Sequence, residues 1–196
     1  MSMTATTHDG VLIDALWPRH DTAPARGLRL AVLVVAGTAL MALSARLNVP
    51  MYPVPMTMQT FAVLVIGMAY GWRLGGLTLL AYLAEGAAGL PVFAGGAGPA
   101  YMAGTTGGYL VGFVVAATLV GWLGERGWHR GVILTLVAMA LGTAVIFGFG
   151  IAWLAWLIGF EPAITHGLLP FLYGAAFKIA LAAAVLPYAW RLVGGR

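Results

Sequence analysis

"GLPVFAGGAGPAYMAGTTGGYLVGF", residues 89 to 113, holds eight glycines and no charged residue. The apolar runs on either side of it are long enough to cross a bilayer. Its meaning depends on which side of a membrane it faces, and the arginines elsewhere in the chain decide that.

Charged residues make up 8% of the 196 and hydrophobic ones 61%, with a mean hydropathy of +0.94. Soluble domains carry about 25% charged residues, so lipid must solvate most of this surface. Ten Lys/Arg against six Asp/Glu give +4. These cations are too dispersed for nucleic acid and serve better as topology signals. The chain has no cysteine, which excludes disulfides, thiolate metal sites and cysteine nucleophiles. Residues 1–26 have ordinary soluble composition and read as a flexible cytoplasmic tail, with "GVLIDALW" (10–17) as an alternative interfacial helix. A signal peptide is rejected, because the first apolar run is followed by five more.

Six segments approach the length a bilayer core of about 30 Å demands: 28–46, 57–72, 74–90, 104–123, 131–159 and 168–190. The fold class expected is an all-α membrane protein of six helices, with 27–196 as the transmembrane substrate-binding domain. With the N-terminus inside, one side collects Arg19, Arg26, Arg29, Arg73, Arg126, Arg130, Arg191 and Arg196, and the other only Arg46. An odd number of spans would scatter the arginines, so both termini are expected in the cytoplasm. The opening stretch then faces outward, as does "LNVPMYPVPMT" (47–57). Irregular backbone near membrane depth needs protein or a cavity to satisfy it, so the two outer loops are expected to fold over a pocket. The fifth span carries Gly142, Gly148 and Gly150, as bends or close-packing points.

Lys178 is midway along the last span, where a lysine costs roughly 2.5–3.5 kcal/mol on insertion scales. It either pairs with Glu85 on the third span or forms the positive end of a site for an anionic ligand. Glu85 itself either accepts hydrogen bonds from a ligand or reaches the interface, with Tyr82 nearly one turn earlier. In "PVPMTMQT" (53–60), Thr57 is placed to cap the second span and Gln59 to turn its amide toward the pocket. "GTTGGYL" (104–110) lacks the G-x-x-x-x-G-K-[ST] phosphate loop. Its glycines permit close backbone approach, with Thr105 or Thr106 as a cap and Tyr109 turned inward. No H-E-x-x-H or G-x-S-x-G is present. His8, His20 and His129 read as solvated, and only His166 falls near the outer pocket. An enzyme is not expected.

Taken together, "PVPMTMQT", "GLPVFAGG" and "GTTGGYLVGF" resemble, in order and spacing, the signature regions of the BioY family. These are the biotin-specific S components of energy-coupling factor (ECF) transporters. The resemblance covers residues 28 to 192. It implies a protein of the bacterial cell membrane that captures biotin from outside and has no cofactor of its own. ATP would be used only by partner ATPase subunits, which join through a transmembrane coupling protein; self-association is the other implied arrangement. The binding roles it implies fall on Thr57, Gln59, Phe93, Tyr101, Tyr109 and Lys178. Family members often carry an acid three residues before the lysine, where this chain has Ala175, so Glu85 becomes the candidate for the ureido group. Where members often have proline, this chain has Thr105, a change expected to act on loop stiffness. A small-residue face on the first span docks the coupling protein in the family; here only looser spacing exists, such as Thr38 to Ala42. The alternative from another class is a passive channel or facilitator, which leaves the buried lysine unexplained.

Overall fold

The structure is a computed structural model and describes residues 10–18 and 22–194. Arg19, Arg196, His8 and His20 lie outside the described residues. The order is α1 (Leu12–Leu16), α2 (Ala23–Arg46), a two-stranded ribbon of β1 (Asn48–Val49) and β2 (Met56–Thr57), α3 (Gln59–Ala87), α4 (Gly98–Met102), α5 (Gly107–Glu125), α6 (Val132–Ile158), α7 (Phe160–Gly167), a short 3-10 turn (Leu169–Phe171) and α8 (Leu172–Gly194). Five helices are long and apolar enough to cross a membrane, counting α7 and α8 as the single stretch Phe160–Leu192. The protein is therefore a multi-pass, all-helical membrane protein.

α3 is not straight. Gly71, at φ 81° and ψ 173°, interrupts it with a conformation essentially restricted to glycine. The two arms then run back alongside each other. Gln59 donates to the Tyr82 hydroxyl at 2.7 Å, whereas a continuous helix would hold these residues about 35 Å apart. The sequence places this turn around Arg73; it falls two residues earlier, at the glycine. α5 crosses directly over it, with Gly121 against the Gly71 and Trp72 backbone and Gly67 against the Ala117 backbone. Small residues let membrane helices approach closely and gain dispersion contacts, which is how one arm of α3 and α5 form the centre of the molecule. Met68, Leu79, Val120, Met139 and Ile146 fill the interior. Leu43, Leu80, Ile133, Leu141 and Phe177 are exposed and face the lipid.

Of the glycines in α6, Gly142 packs on Leu64 and Val120, and Gly150 on the Tyr109 ring, while Gly148 meets nothing. α6 ends at Gly159, φ 92°. Pro187 lies inside α8 without ending it.

Several expectations about individual residues change. Residues 12–16 are helical rather than a loose tail, because the partly buried Arg29 holds them. Its guanidinium donates to the Trp17 carbonyl at 2.9 Å and to Asp14 at 2.8 Å. α2 begins at Ala23, within the expected tail. His129 is buried, not solvated: Nδ1–H donates to the Gly124 carbonyl at 2.8 Å, and the ring stands edge-on to Trp190 at 4.4 Å. Burial pushes its imidazole below the usual range, and the neutral ring fits its apolar neighbour. Thr38 is buried and its hydroxyl bonds the Val35 carbonyl, so Thr38 and Ala42 do not form an outward docking stripe.

Candidate substrate-binding site

The first arm of α3, residues 59–70, rises only about 18 Å, well short of a bilayer core. The segments before and after the hairpin therefore sit at membrane depth, where every backbone group needs a partner. They find partners in one another. Met58 N–H donates to Leu47. Thr105 Oγ1 donates to Pro53 at 2.8 Å, Trp153 Nε1 to Gly104 at 2.9 Å and Arg46 to Pro91 at 2.6 Å. Phe93 and Gly96 form an isolated bridge, and Phe93 is fully buried against Gly86. The glycine-rich stretch is thus packed over the helices by defined contacts, and Thr105 makes a hydrogen bond that proline could not. Neither threonine caps α5. Thr106 has a helical φ/ψ of −91°/−8°, not the extended geometry a cap requires.

Under this stretch lies a cavity with about 50 Å³ of interior space, room for a few waters. Thr57, Gln59, Phe93, Tyr101, Tyr109 and Lys178 all line it. Tyr101 stacks on Phe93 at 5.2 Å, and the Tyr109 hydroxyl donates to Gly167 at 2.9 Å, tying α5 to α7. Sequence reasoning missed Thr60, Thr143, Phe147 and Phe171, which also line the cavity. Phe171 was within reach of it, since it stands seven residues before Lys178 on nearly the same helical face.

The polar groups are held in order. Thr57 accepts from the Gln59 backbone N–H at 3.2 Å, so it does satisfy the start of α3, and its hydroxyl reaches Gln59 Oε1 at 3.3 Å. Gln59 Nε2 donates to Tyr82, whose hydroxyl donates in turn to the Val92 carbonyl at 2.9 Å. This chain fixes the amide and leaves it one N–H and one lone pair for a ligand. Tyr82 is therefore a support behind the cavity, not part of its lining. Glu85, one turn further along the second arm, does not line it either. Tyr82 instead reaches the cavity through its contacts with Gln59 and with the Phe93 ring, 5.4 Å away.

Lys178 is buried at 8% exposure. Its ammonium donates to the Thr57 carbonyl and to Thr60 Oγ1 at 3.1 Å. Its partners are neutral oxygens, not Glu85, and the third N–H is left for something else.

A family model, "BioY family", matches residues 18–195. The chain belongs to the BioY family. A probable biotin transporter of Pyrococcus horikoshii is 39% identical over 154 residues, 78% of this chain and 91% of that protein. The biotin transporter of Thermotoga maritima is 34% identical over 161 residues, 78% and 92% of the two chains. Among solved structures, the crystal structure of the S-component for biotin from an ECF-type ABC transporter superposes with a TM-score of 0.75. That match covers 86% of this chain and 94% of the other, at 23% identity, and shows a shared fold. The resemblance carried by the three motifs is borne out, and the family is one of transporters rather than enzymes.

Within this BioY-family chain, Ala175 lines the cavity, so the position lacking the acid does face the site. Because Gln59 is the amide best prepared for a ligand, Gln59→Ala is expected to weaken biotin binding by about tenfold. A lost neutral hydrogen bond is worth roughly 0.5–1.5 kcal/mol. Tyr82→Phe should weaken it less, acting only through the orientation of Gln59. Isothermal titration of both variants in detergent checks this. Unchanged affinity in Gln59→Ala would remove the amide from the site.

Proposed function

We propose that this chain captures biotin from the outer side of a bacterial cell membrane, as the substrate-binding S component of an ECF-type transporter. The observation that carries the proposal is Lys178: a buried ammonium, held by neutral oxygens, at the edge of an aromatic cavity. An unpaired charge in such a place is costly, and an anionic ligand relieves the cost. Biotin supplies a carboxylate for Lys178, an apolar ring and chain for Phe93 and Tyr101, and a ureido group for Gln59. With Ala175 in place of an acid and Glu85 outside the lining, the ureido group relies on Gln59 and the cavity threonines.

Biotin would enter this cavity beneath the glycine-rich segment, whose closure around the bound molecule completes the site. Closure then excludes water and strengthens the few polar contacts inside.

In this reading each arm of α3, together with the irregular segment that continues it, crosses the membrane, making six crossings with both termini in the cytoplasm. The hairpin at Gly71 supports it, as does the grouping of arginines. Residues 27–196 form the binding domain, and 1–26 precede it on the cytoplasmic side. Uphill uptake then requires a coupling protein and ATPase subunits, or self-association, and ATP is consumed by the partners alone. The absence of native cysteine makes a topology test clean. A cysteine introduced at Gly98 should react with an impermeant reagent added outside, and one at Gly127 should not. The reverse pattern would overturn the topology.

Growth tests the function. A biotin auxotroph lacking its own uptake system, given this chain and an ECF module, should grow on trace biotin. A passive facilitator would support growth only at high external biotin, and that result would sink the capture reading.

A further inference from the structure

The turn of α3 and the end of α5 meet at one edge of the fold, where the Trp72 N–H donates to Glu125 at 3.3 Å. An apolar groove opens there onto the outer surface of the helices. Trp72 and Trp122 line it near that edge, and Val114, Val115, Thr118 and Leu119 line the rest. The Thr118 hydroxyl is taken up by the Val114 carbonyl of its own helix at 2.8 Å, so the floor offers mainly hydrocarbon. Each indole carries a guanidinium on its face, Arg73 at 4.9 Å from the Trp72 ring and Arg126 at 3.3 Å from the Trp122 ring. All four of these side chains are exposed. Glu125 and, in the adjoining pocket, Asp14 are the acids at this edge; Asp14 is paired with Arg29 at 2.8 Å, so Arg73 and Arg126 against Glu125 leave the edge positive.

Each element of this arrangement has a physical preference. Indoles sit at headgroup level in a bilayer. Guanidiniums are weakly hydrated, remain charged and bind phosphate with two parallel hydrogen bonds. Stacking on the indoles holds both arginines where the groove begins. A slot of hydrocarbon that ends in two oriented cations matches a lipid with a negatively charged headgroup. A zwitterionic lipid matches it less well, because its own ammonium offsets the phosphate charge that the arginines would hold.

We propose that this groove is a binding site for an anionic phospholipid, with its headgroup phosphate at Arg73 and Arg126 and an acyl chain along α5. The bound lipid would clamp the hairpin turn of α3 to α5, across the contact where Gly121 packs on Gly71. The inference does not depend on which solute the cavity takes.

Native mass spectrometry of the full chain, offered phosphatidylglycerol and phosphatidylcholine of identical acyl chains at equal concentration, tests it. The native protein should retain phosphatidylglycerol over phosphatidylcholine by roughly tenfold. Arg73→Gln/Arg126→Gln should bring the two lipids close to equal retention, while Arg191→Gln, an exposed arginine on α8, should leave the preference intact. Phosphatidylglycerol should also raise the melting temperature of the native protein and not that of the double variant. Equal retention by the native protein overturns the proposal, as does a preference that survives the double substitution. Loss of the preference on adding millimolar inorganic phosphate would show a simple anion site and overturn it as well.

Discussion

Lys178→Met is expected to weaken biotin binding by about two orders of magnitude or more. The ammonium is nearly inaccessible to solvent and held by the Thr57 carbonyl and the Thr60 hydroxyl. Exposed ion pairs are worth ~0–1 kcal/mol. Removing one partner from a buried pair costs about 3–5 kcal/mol, because the other charge is stranded. Each 1.4 kcal/mol is about tenfold in affinity. Methionine keeps the length and apolar stem of the side chain, so packing around Ala175 and Phe171 should survive. The neutral amide of biotin should bind the native protein poorly, because it leaves the lysine unpaired. In Lys178→Met that discrimination should shrink. Competition binding with acid and amide against both proteins measures it, and equal discrimination in the two would show that the charges do not meet.

Gly71→Val should abolish the folded, monodisperse protein. At φ 81° a β-branched residue is a severe outlier, costing of order 1–3 kcal/mol in backbone strain alone. A Cβ there also meets Glu125 and Val11, and overpacking adds about 1–3 kcal/mol more. The turn cannot open to relieve this without parting α3 from α5 over their whole contact. Gly148→Val provides the control, since a Cβ at that position would have no neighbour within 4 Å and the residue faces lipid. Size-exclusion chromatography in detergent should show a native-like peak for Gly148→Val and aggregation for Gly71→Val. Equal behaviour of the two would mean that the hairpin does not depend on its glycine.

Composition and the arginine pattern made the helical membrane class legible before any coordinates. Lys178 stood out because a lysine is so costly inside a span, and Gln59 because prolines and Thr57 mark the start of α3. Tyr82 and Glu85 stand outside the lining of the cavity as it is. Which face of the second arm meets the cavity depends on how that arm packs against the first, and the position of the Gly71 turn sets this. The contacts of the glycine-rich stretch were hidden in the same way. Phe93 is locked by Gly86 and Tyr101, residues that come together only in three dimensions. His129 reads as a polar loop residue until Trp190, at the far end of α8, is seen to cover it.

Equilibrium binding of labelled biotin to the purified chain, without any partner subunit, tests the central claim most directly. One biotin retained per chain at sub-micromolar free concentration, displaced by unlabelled biotin, is the result expected of a capture protein. No saturable binding below millimolar concentration would contradict it.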